Sequence, residues 1–315
     1  MHPILFELDA FDLFGFAIGP VSVHTYGVLV AAGFALATFV GARFAKQDGI
    51  DVGRALDLAF WALVSGMVGA RLMYSVVNWR AYADACSHPE KPNLLNFNLP
   101  LDAPACWDIF KFWEGGLVWY GGLLGALLAC SLLARRWKLP YAKTADIALG
   151  AVPLGHAIGR LGCLCAGCCY GQISDGPLGL TFPPGSMPYM AQSTLEHGRV
   201  IASLDLPLHP TQLYEATGEL GIFLILLAVR HWKRFDGQVA LGFLILYPLL
   251  RSTVEFFRGD YSRGLLVSWK ASGSFGGVPY QYTTGISSAQ VVSLFVVVGA
   301  LLWMARLLKH ARPRS

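Results

Sequence analysis

Runs of apolar residues about twenty long divide this chain, and nothing else in the sequence restricts its fold as much. A run of roughly 17 to 25 such residues crosses a bilayer core as a helix, and hydrocarbon offers the backbone no partners outside a helix or a closed barrel. Seven stretches qualify: Val21–Ala45, Ala55–Val77, Gly116–Ala134, Ile147–Cys165, Gln212–Val229, Val239–Phe257 and Gln290–Ala305. Only 14% of the 315 residues are charged, against about 25% in a soluble domain. The sequence therefore predicts an all-α integral membrane protein with about seven transmembrane helices in a single domain, 1–315. It shows no basic patch of the kind that tracks nucleic acid, no repeat of fixed period and no low-complexity tract.

Orientation follows from positive charge, because cytoplasmic loops collect Lys and Arg. With the N-terminus outside, Arg43, Lys46 and Arg54, then Arg135, Arg136, Lys138 and Lys143, then Arg230, Lys233 and Arg234, and finally Arg306, Lys309, Arg312 and Arg314 face the cytoplasm. These are fourteen of the 24 basic residues, and the longer opposite loops hold seven, so the chain is expected to run N-out and C-in. Its first twenty residues lack a basic n-region and a small-x-small cleavage site and read as an outer-face segment. The loops at about 78–111 and 172–210, rich in Pro, Asn and Asp, are expected to form a small extracytoplasmic cap. Cys86 and Cys106 share the first of them, in a compartment where disulfides persist. A Cys86–Cys106 bridge and two unpaired thiols both fit.

Ionisable residues inside membrane spans are costly and tend to be functional. Arg160 sits near the outer end of the fourth span, in HAIGRLG, and Arg251 and Glu255 lie four apart in the sixth, hence on one helical face. Snorkelling or a structural carboxylate partner would account for either arginine alone. Two arginines toward the same membrane face point to a shared anionic ligand, since guanidinium grips phosphate bidentately. Lipid headgroups are the nearest abundant phosphates. Glycine is the other excess: EGGLVWYGGLLG, 114–125, holds five, with Gly121 and Gly125 at the spacing that lets helices approach closely. The doubled glycines suggest a broken entry into the third span, which survives at membrane depth only under protein or a polar cavity. Tyr120, at its centre, would face that cavity.

Six blocks follow one another along the chain: HTYG at 24–27, GARLMY at 69–74, WEGGLVWYGG at 113–122, GRLG at 159–162, HPTQLYE at 209–215 and RSTVEFFRGD at 251–260. In order and spacing they resemble the phosphatidylglycerol:prolipoprotein diacylglyceryl transferase family, from about Ile18 to the last span. The resemblance implies a multi-pass enzyme of the bacterial cytoplasmic (inner) membrane with its active site toward the outer face. It would transfer the diacylglyceryl group of phosphatidylglycerol, a membrane lipid, to the lipobox cysteine of a preprolipoprotein signal peptide. A thioether would form and glycerol phosphate leave, with no cofactor. By position Arg160 and Arg251 match the family's two essential arginines, which would hold the phosphate. Tyr26, Gly171, Tyr247 and Glu255 match further positions of functional weight, and His24 stands beside Tyr26 in the same block.

Two departures accompany the match. The family's HGG motif, whose histidine is a favoured general base, reads Tyr120-Gly121-Gly122 here, and a tyrosine with a pKa near 10 is a poorer base than histidine. His24, His156 or a tyrosinate next to Arg160 could take that task, with Tyr26 and Tyr120 as the tyrosines in view. The second departure follows Arg160, where the family's outline GNxxNGExxG reads Gly162-Cys163-Leu164-Cys165-Ala166-Gly167-Cys168-Cys169-Tyr170-Gly171. Cys163 replaces an asparagine and Cys168 an acidic residue.

Four thiols in seven positions admit several readings. They can be small polarizable core residues. They can serve disulfide or thiol-exchange chemistry, which an outer-face location favours. Structural zinc usually takes separated pairs, and one compact run matches that poorly, so no metal centre is expected. On a continuous helix Cys165, Cys168 and Cys169 would share a face while Cys163 points elsewhere. Cys165-Ala166-Gly167-Cys168 also looks like the end of a lipobox, but no signal peptide precedes it. The leading expectation is a working transferase with altered acid–base groups. The alternative is a relative that keeps the fold and uses Cys163, Cys165, Cys168 and Cys169 for redox, sulfur-compound handling or transport.

Overall fold

The computed structural model describes residues 4–8, 11–13, 16–18, 20–87, 116–196, 199–203, 205–259, 265–275 and 278–310. At the start, β1 (Ile4–Leu8) pairs antiparallel with β4 (Val21–His24), and β2 (Phe11–Leu13) with β3 (Phe16–Ile18). Then come α1 (Thr25–Gln47), α2 (Val52–Val77), α3 (Trp79–Ser87), α4 (Trp119–Arg136), α5 (Tyr141–Ala166) and α6 (Met187–Ala191). The hairpin of β5 (Ser193–Glu196) and β6 (Arg199–Ser203) precedes α7 (Thr211–Trp232) and α8 (Gln238–Glu255). A longer hairpin, β7 (Leu265–Phe275) with β8 (Val278–Ser287), leads into α9 (Ser288–His310).

Each expected span falls on one of these helices. Five of them, α1, α2, α5, α7 and α9, are long and apolar enough to cross a membrane. Helices α4 and α8 have 18 residues each, about 27 Å at 1.5 Å per residue. The first span begins later than expected, because Val21–His24, with its alternating valines, forms strand β4 before the helix starts at Thr25. Large apolar side chains such as Phe60, Leu72, Leu128, Phe295 and Leu302 are exposed, while Asp146, Glu215, Glu219 and Glu255 are buried. A water-soluble protein sorts these the other way round, so the chain is an integral membrane protein.

Contacts divide the chain into two compact units, 1–41 with 145–315, and 42–144. In the shorter unit α2 and α4 pack through small residues. A Cβ added at Gly69 or Gly121 would strike the other's backbone carbonyl, and one at Gly125 the carbonyl of Ser65. The entry into α4 is irregular, as expected: Gly116 has φ +66°, Val118 N–H donates to Ala70 O at 3.1 Å, and Arg71 Nη1 donates to Gly116 O at 3.3 Å.

In the larger unit α5, α7 and α8 share a core of Ile222, Leu226, Val239 and Phe243, flanked by Leu149, Leu246 and Leu250. At its edge lies Asp146 of α5, fully buried. It accepts from Lys233 Nζ at 3.2 Å and from the backbone N–H groups of Gly237 and Ala240 at 2.9 Å each. Gly237, the N-cap residue of α8, has no side chain with which to cap its own helix, so a carboxylate from α5 supplies the acceptor that orphan first-turn amides need.

Candidate active site

The site is built within the larger unit, from buried polar groups on three helices. Gln212, Glu215 and Glu219 of α7 are spaced three and then four apart, which puts them on one face, and each is at most 1% exposed. Carboxylates persist at such depth only with partners, and α5 provides them. Arg160 Nη2 donates to Glu215 Oε1 at 2.8 Å, and one turn earlier His156 Nδ1 lies 2.6 Å from Glu219 Oε1. The Arg160 side chain is 13% exposed, and its Nε, like Glu219 Oε2, has no hydrogen-bond partner among the described residues.

Helix α8 adds Tyr247, Arg251 and Glu255. Arg251 Nη1 and Glu255 Oε2 form an i,i+4 ion pair that lacks hydrogen-bond alignment. Tyr247 stacks on Phe243 with ring centroids 5.3 Å apart, lies 5.7 Å from the His156 ring, and stands within electrostatic reach of Arg160, Glu215, Glu219 and Arg251. Tyr26, in the first turn of α1, packs over Gly162, where an added Cβ would sit 3.2 Å from Tyr26 Cδ2. It too is within reach of Arg160 and of Cys163, Cys168 and Cys169. The structure thus gathers Tyr26, Arg160, Tyr247, Arg251 and Glu255 into one region. Glu215, Glu219 and Gln212 join them without having been singled out from the sequence, although two glutamates four apart in an apolar run are the ordinary sign of an intramembrane polar site.

Other residues singled out from the sequence lie apart from this cluster or do something visible there. Gly171 is wedged between two segments: its N–H donates to His209 O at 3.0 Å, it bridges to Arg258, and a Cβ would lie 2.8 Å from Phe257 O. His209, held 3.1 Å from the Tyr214 hydroxyl and 5.1 Å from the Phe257 ring, has its pKa lowered from 6.5 by burial, with Asp175 opposing. His24 is exposed at the end of β4, its Nδ1 3.1 Å from Ser22 O. Tyr120 belongs to the 42–144 unit, where it is 51% exposed and meets Trp119 edge-on at 5.3 Å. Cys86 is disulfide-bonded, and Cys106, its expected partner, lies outside the described residues.

The cysteine run corrects its expected geometry. Helix α5 stops at Ala166, because Gly167 turns to φ +71° while Gly167 N–H donates to Leu164 O at 3.2 Å and Cys168 N–H to Cys163 O at 3.1 Å. That is the paired bonding of a glycine-terminated helix. The chain folds back on the helix end, so the sulfurs of Cys163, Cys168 and Cys169 lie within 4.8 Å of one another. Cys165, expected to share a face with Cys168 and Cys169, is the one outside this group. Two residues of α7 hold the turn: Gln212 Nε2 donates to Cys168 O at 2.7 Å and Thr211 Oγ1 to Cys169 O at 2.5 Å. Hydrogen bonding with the Cys163 and Cys168 thiols lowers the Cys169 pKa, with Arg258 and Arg160 contributing. The same exchange raises that of Cys168.

The profile of the prolipoprotein diacylglyceryl transferase family matches residues 14–306 of this chain. The chain belongs to that family. Among its relatives, the phosphatidylglycerol–prolipoprotein diacylglyceryl transferase of Geobacter sulfurreducens is 33% identical over 282 residues, 88% of this chain and 94% of the relative. The Stenotrophomonas maltophilia enzyme of the same name is 32% identical over 255 residues, 78% of this chain and 80% of its own. That of Clostridioides difficile is 29% identical over 293 residues, covering 93% and 92%. Arg160 and Arg251 stand in the unit that also holds the glutamates, Tyr26 and Tyr247, whereas Tyr120 stands in the other.

Proposed function

We propose that this family member transfers the diacylglyceryl group of phosphatidylglycerol to the lipobox cysteine of prolipoprotein signal peptides, at the outer face of a bacterial inner membrane. The whole chain acts as one transferase domain, with the segments 78–111 and 172–210 as its cap. The observation that carries the reading is Arg160: a part-buried guanidinium on a membrane helix that spends one nitrogen on Glu215 and whose buried Nε has no hydrogen-bond partner among the described residues. Guanidinium donors in a dry, apolar setting are what a phospholipid phosphate needs.

In the reaction the lipobox sulfur bonds to the glyceryl carbon of the lipid, the bond from that carbon to the phosphate oxygen breaks, and glycerol phosphate leaves with the electron pair. Arg160 and Arg251 stabilise the charge that gathers on the departing phosphate, displacing part of their hold on Glu215 and Glu255. Tyr247, between the two arginines electrostatically, orients the headgroup, and Tyr26 covers the same region from α1. The thiol must lose its proton to become a nucleophile. With Nδ1 of His156 held by Glu219 at 2.6 Å, its Nε2 takes that proton, which gives the chain a base in place of the histidine that Tyr120 replaces.

The test is to incubate the purified protein with phosphatidylglycerol and a lipobox peptide and to follow the thioether adduct by mass spectrometry. Adduct formation is expected. It should fall at least tenfold in His156→Gln, in line with typical general-base contributions of 10²- to 10⁴-fold, and stay near the parent rate in Tyr120→Phe. No adduct from the parent protein overturns the function, and an unaffected His156→Gln overturns the assigned base.

A further inference from the structure

We propose that Cys163, Cys168 and Cys169 form a three-thiolate site for a soft monovalent cation of the Cu(I) type. The three sulfurs lie within 4.8 Å of one another. Metal–sulfur bonds of about 2.3 Å would set three ligands around one ion about 4.0 Å apart, so binding asks for a contraction of less than about an ångström. Soft thiolates select Cu(I). A structural zinc ion takes four ligands in a tetrahedron, whereas the fourth cysteine of the run, Cys165, is not in the group.

The backbone is built to hold this arrangement. Cys169 sits at φ +59°, a left-handed conformation that is strained for a non-glycine residue and persists only where its surroundings fix it. Here they do: Thr211 and Gln212, both buried, clamp the carbonyls of Cys169 and Cys168, and the glycine turn at Gly167 ties Cys168 to Cys163. Core thiols need none of this. Electrostatics suits the complex as well, since three thiolates around a monovalent ion carry a net charge of −2, and Arg258 and Arg160 both act on Cys169. Binding forms three sulfur–metal bonds and releases the protons still held by the thiols, with no change of oxidation state.

The experiment is independent of lipid transfer. The full chain, reduced and purified in detergent, is titrated anaerobically with Cu(I) against bathocuproine disulfonate, and the loaded protein is taken to sulfur-sensitive X-ray absorption at the copper edge. One equivalent of Cu(I) with three sulfurs at about 2.3 Å is expected. Affinity should fall at least about 100-fold in Cys163→Ser, Cys168→Ser and Cys169→Ser and stay within about twofold in Cys165→Ser and Cys130→Ser, given that even outer-shell changes weaken metal sites 10- to 100-fold. The X-ray measurement needs only the parent protein, so a variant that fails to fold does not blunt the test. Binding of less than half an equivalent, a two-sulfur shell, equal loss in Cys165→Ser, or zinc outcompeting Cu(I) would each overturn the site. So would recovery of the chain with a disulfide among the three that reduction does not open.

Discussion

The α2–α4 contact and the α5–α7–α8 contact solve the same problem, helix association in a membrane, with opposite materials. Helices α2 and α4 meet through Ser65, Gly69, Gly121 and Gly125, where backbone touches backbone and no side chain could be added. The other three helices also meet through polar groups: buried carboxylates and the Gln212 amide, with a part-buried guanidinium and imidazole against them. Hydrocarbon gives apolar side chains no reason to prefer each other over lipid, so close backbone packing and internal polar bonds are the two remaining sources of affinity. The first yields a contact that is inert. The second leaves unspent donors and acceptors, such as Arg160 Nε and Glu219 Oε2, and those are what a reaction can use.

If that contrast is sound, the two contacts should fail differently. Arg160→Lys keeps the charge opposite Glu215 but loses the forked geometry. It should slow adduct formation about 10²- to 10³-fold, a loss of about 3–4 kcal/mol of transition-state stabilisation, with little change in melting temperature. An unchanged rate would reduce Arg160 to a counter-ion for Glu215. Gly121→Ala drives a methyl group into the Gly69 carbonyl and should destabilise by about 1–3 kcal/mol, the usual range for overpacking, while the rate per folded molecule stays the same. A rate loss without destabilisation would mean that α4 takes part in the chemistry and not only in the packing.

The smallest effect concerns pH. His209 has a folded pKa below its unfolded value of 6.5, so below that value the unfolded chain binds the proton more readily. Stability is full above about pH 6.5 and is lost as pH falls through the folded pKa. Melting curves taken at intervals from about pH 7.5 down to about pH 5 should show a steeper acid loss for the parent than for His209→Gln, and identical slopes would sink the assignment.

Much of this was legible in the residues themselves. Apolar run lengths locate every long helix, the Gly121–Gly125 spacing announces a close contact, and the ordered motif blocks point to Arg160, Arg251, Tyr26 and Tyr247. The helix end at Gly167 is marked in the sequence as well: a glycine closing an apolar run is the common sign of a helix terminus. A helix continued past Gly167 would turn Cys163 away from Cys168 and Cys169, whereas the turn there brings the three together. The pairing of His156 with Glu219 and of Arg160 with Glu215 could not be read locally, because the partners lie 63 and 55 residues apart. Strand β4 took residues that hydropathy gave to the first span, since alternating valines suit a strand as well as a helix.

The capping of α8 by Asp146 sets an order on the making of the protein. Its carboxylate enters the bilayer on α5, while the amide of Gly237 that satisfies it is synthesised 91 residues later. Between those moments the carboxylate lacks its whole partner set, because Lys233, which answers its charge, comes 87 residues after it and the amides of Gly237 and Ala240 follow. The finished contact is thus the last to close: a chain that ends before Lys233 has α5 in place but neither the ammonium nor the amides that hold Asp146 in the completed fold.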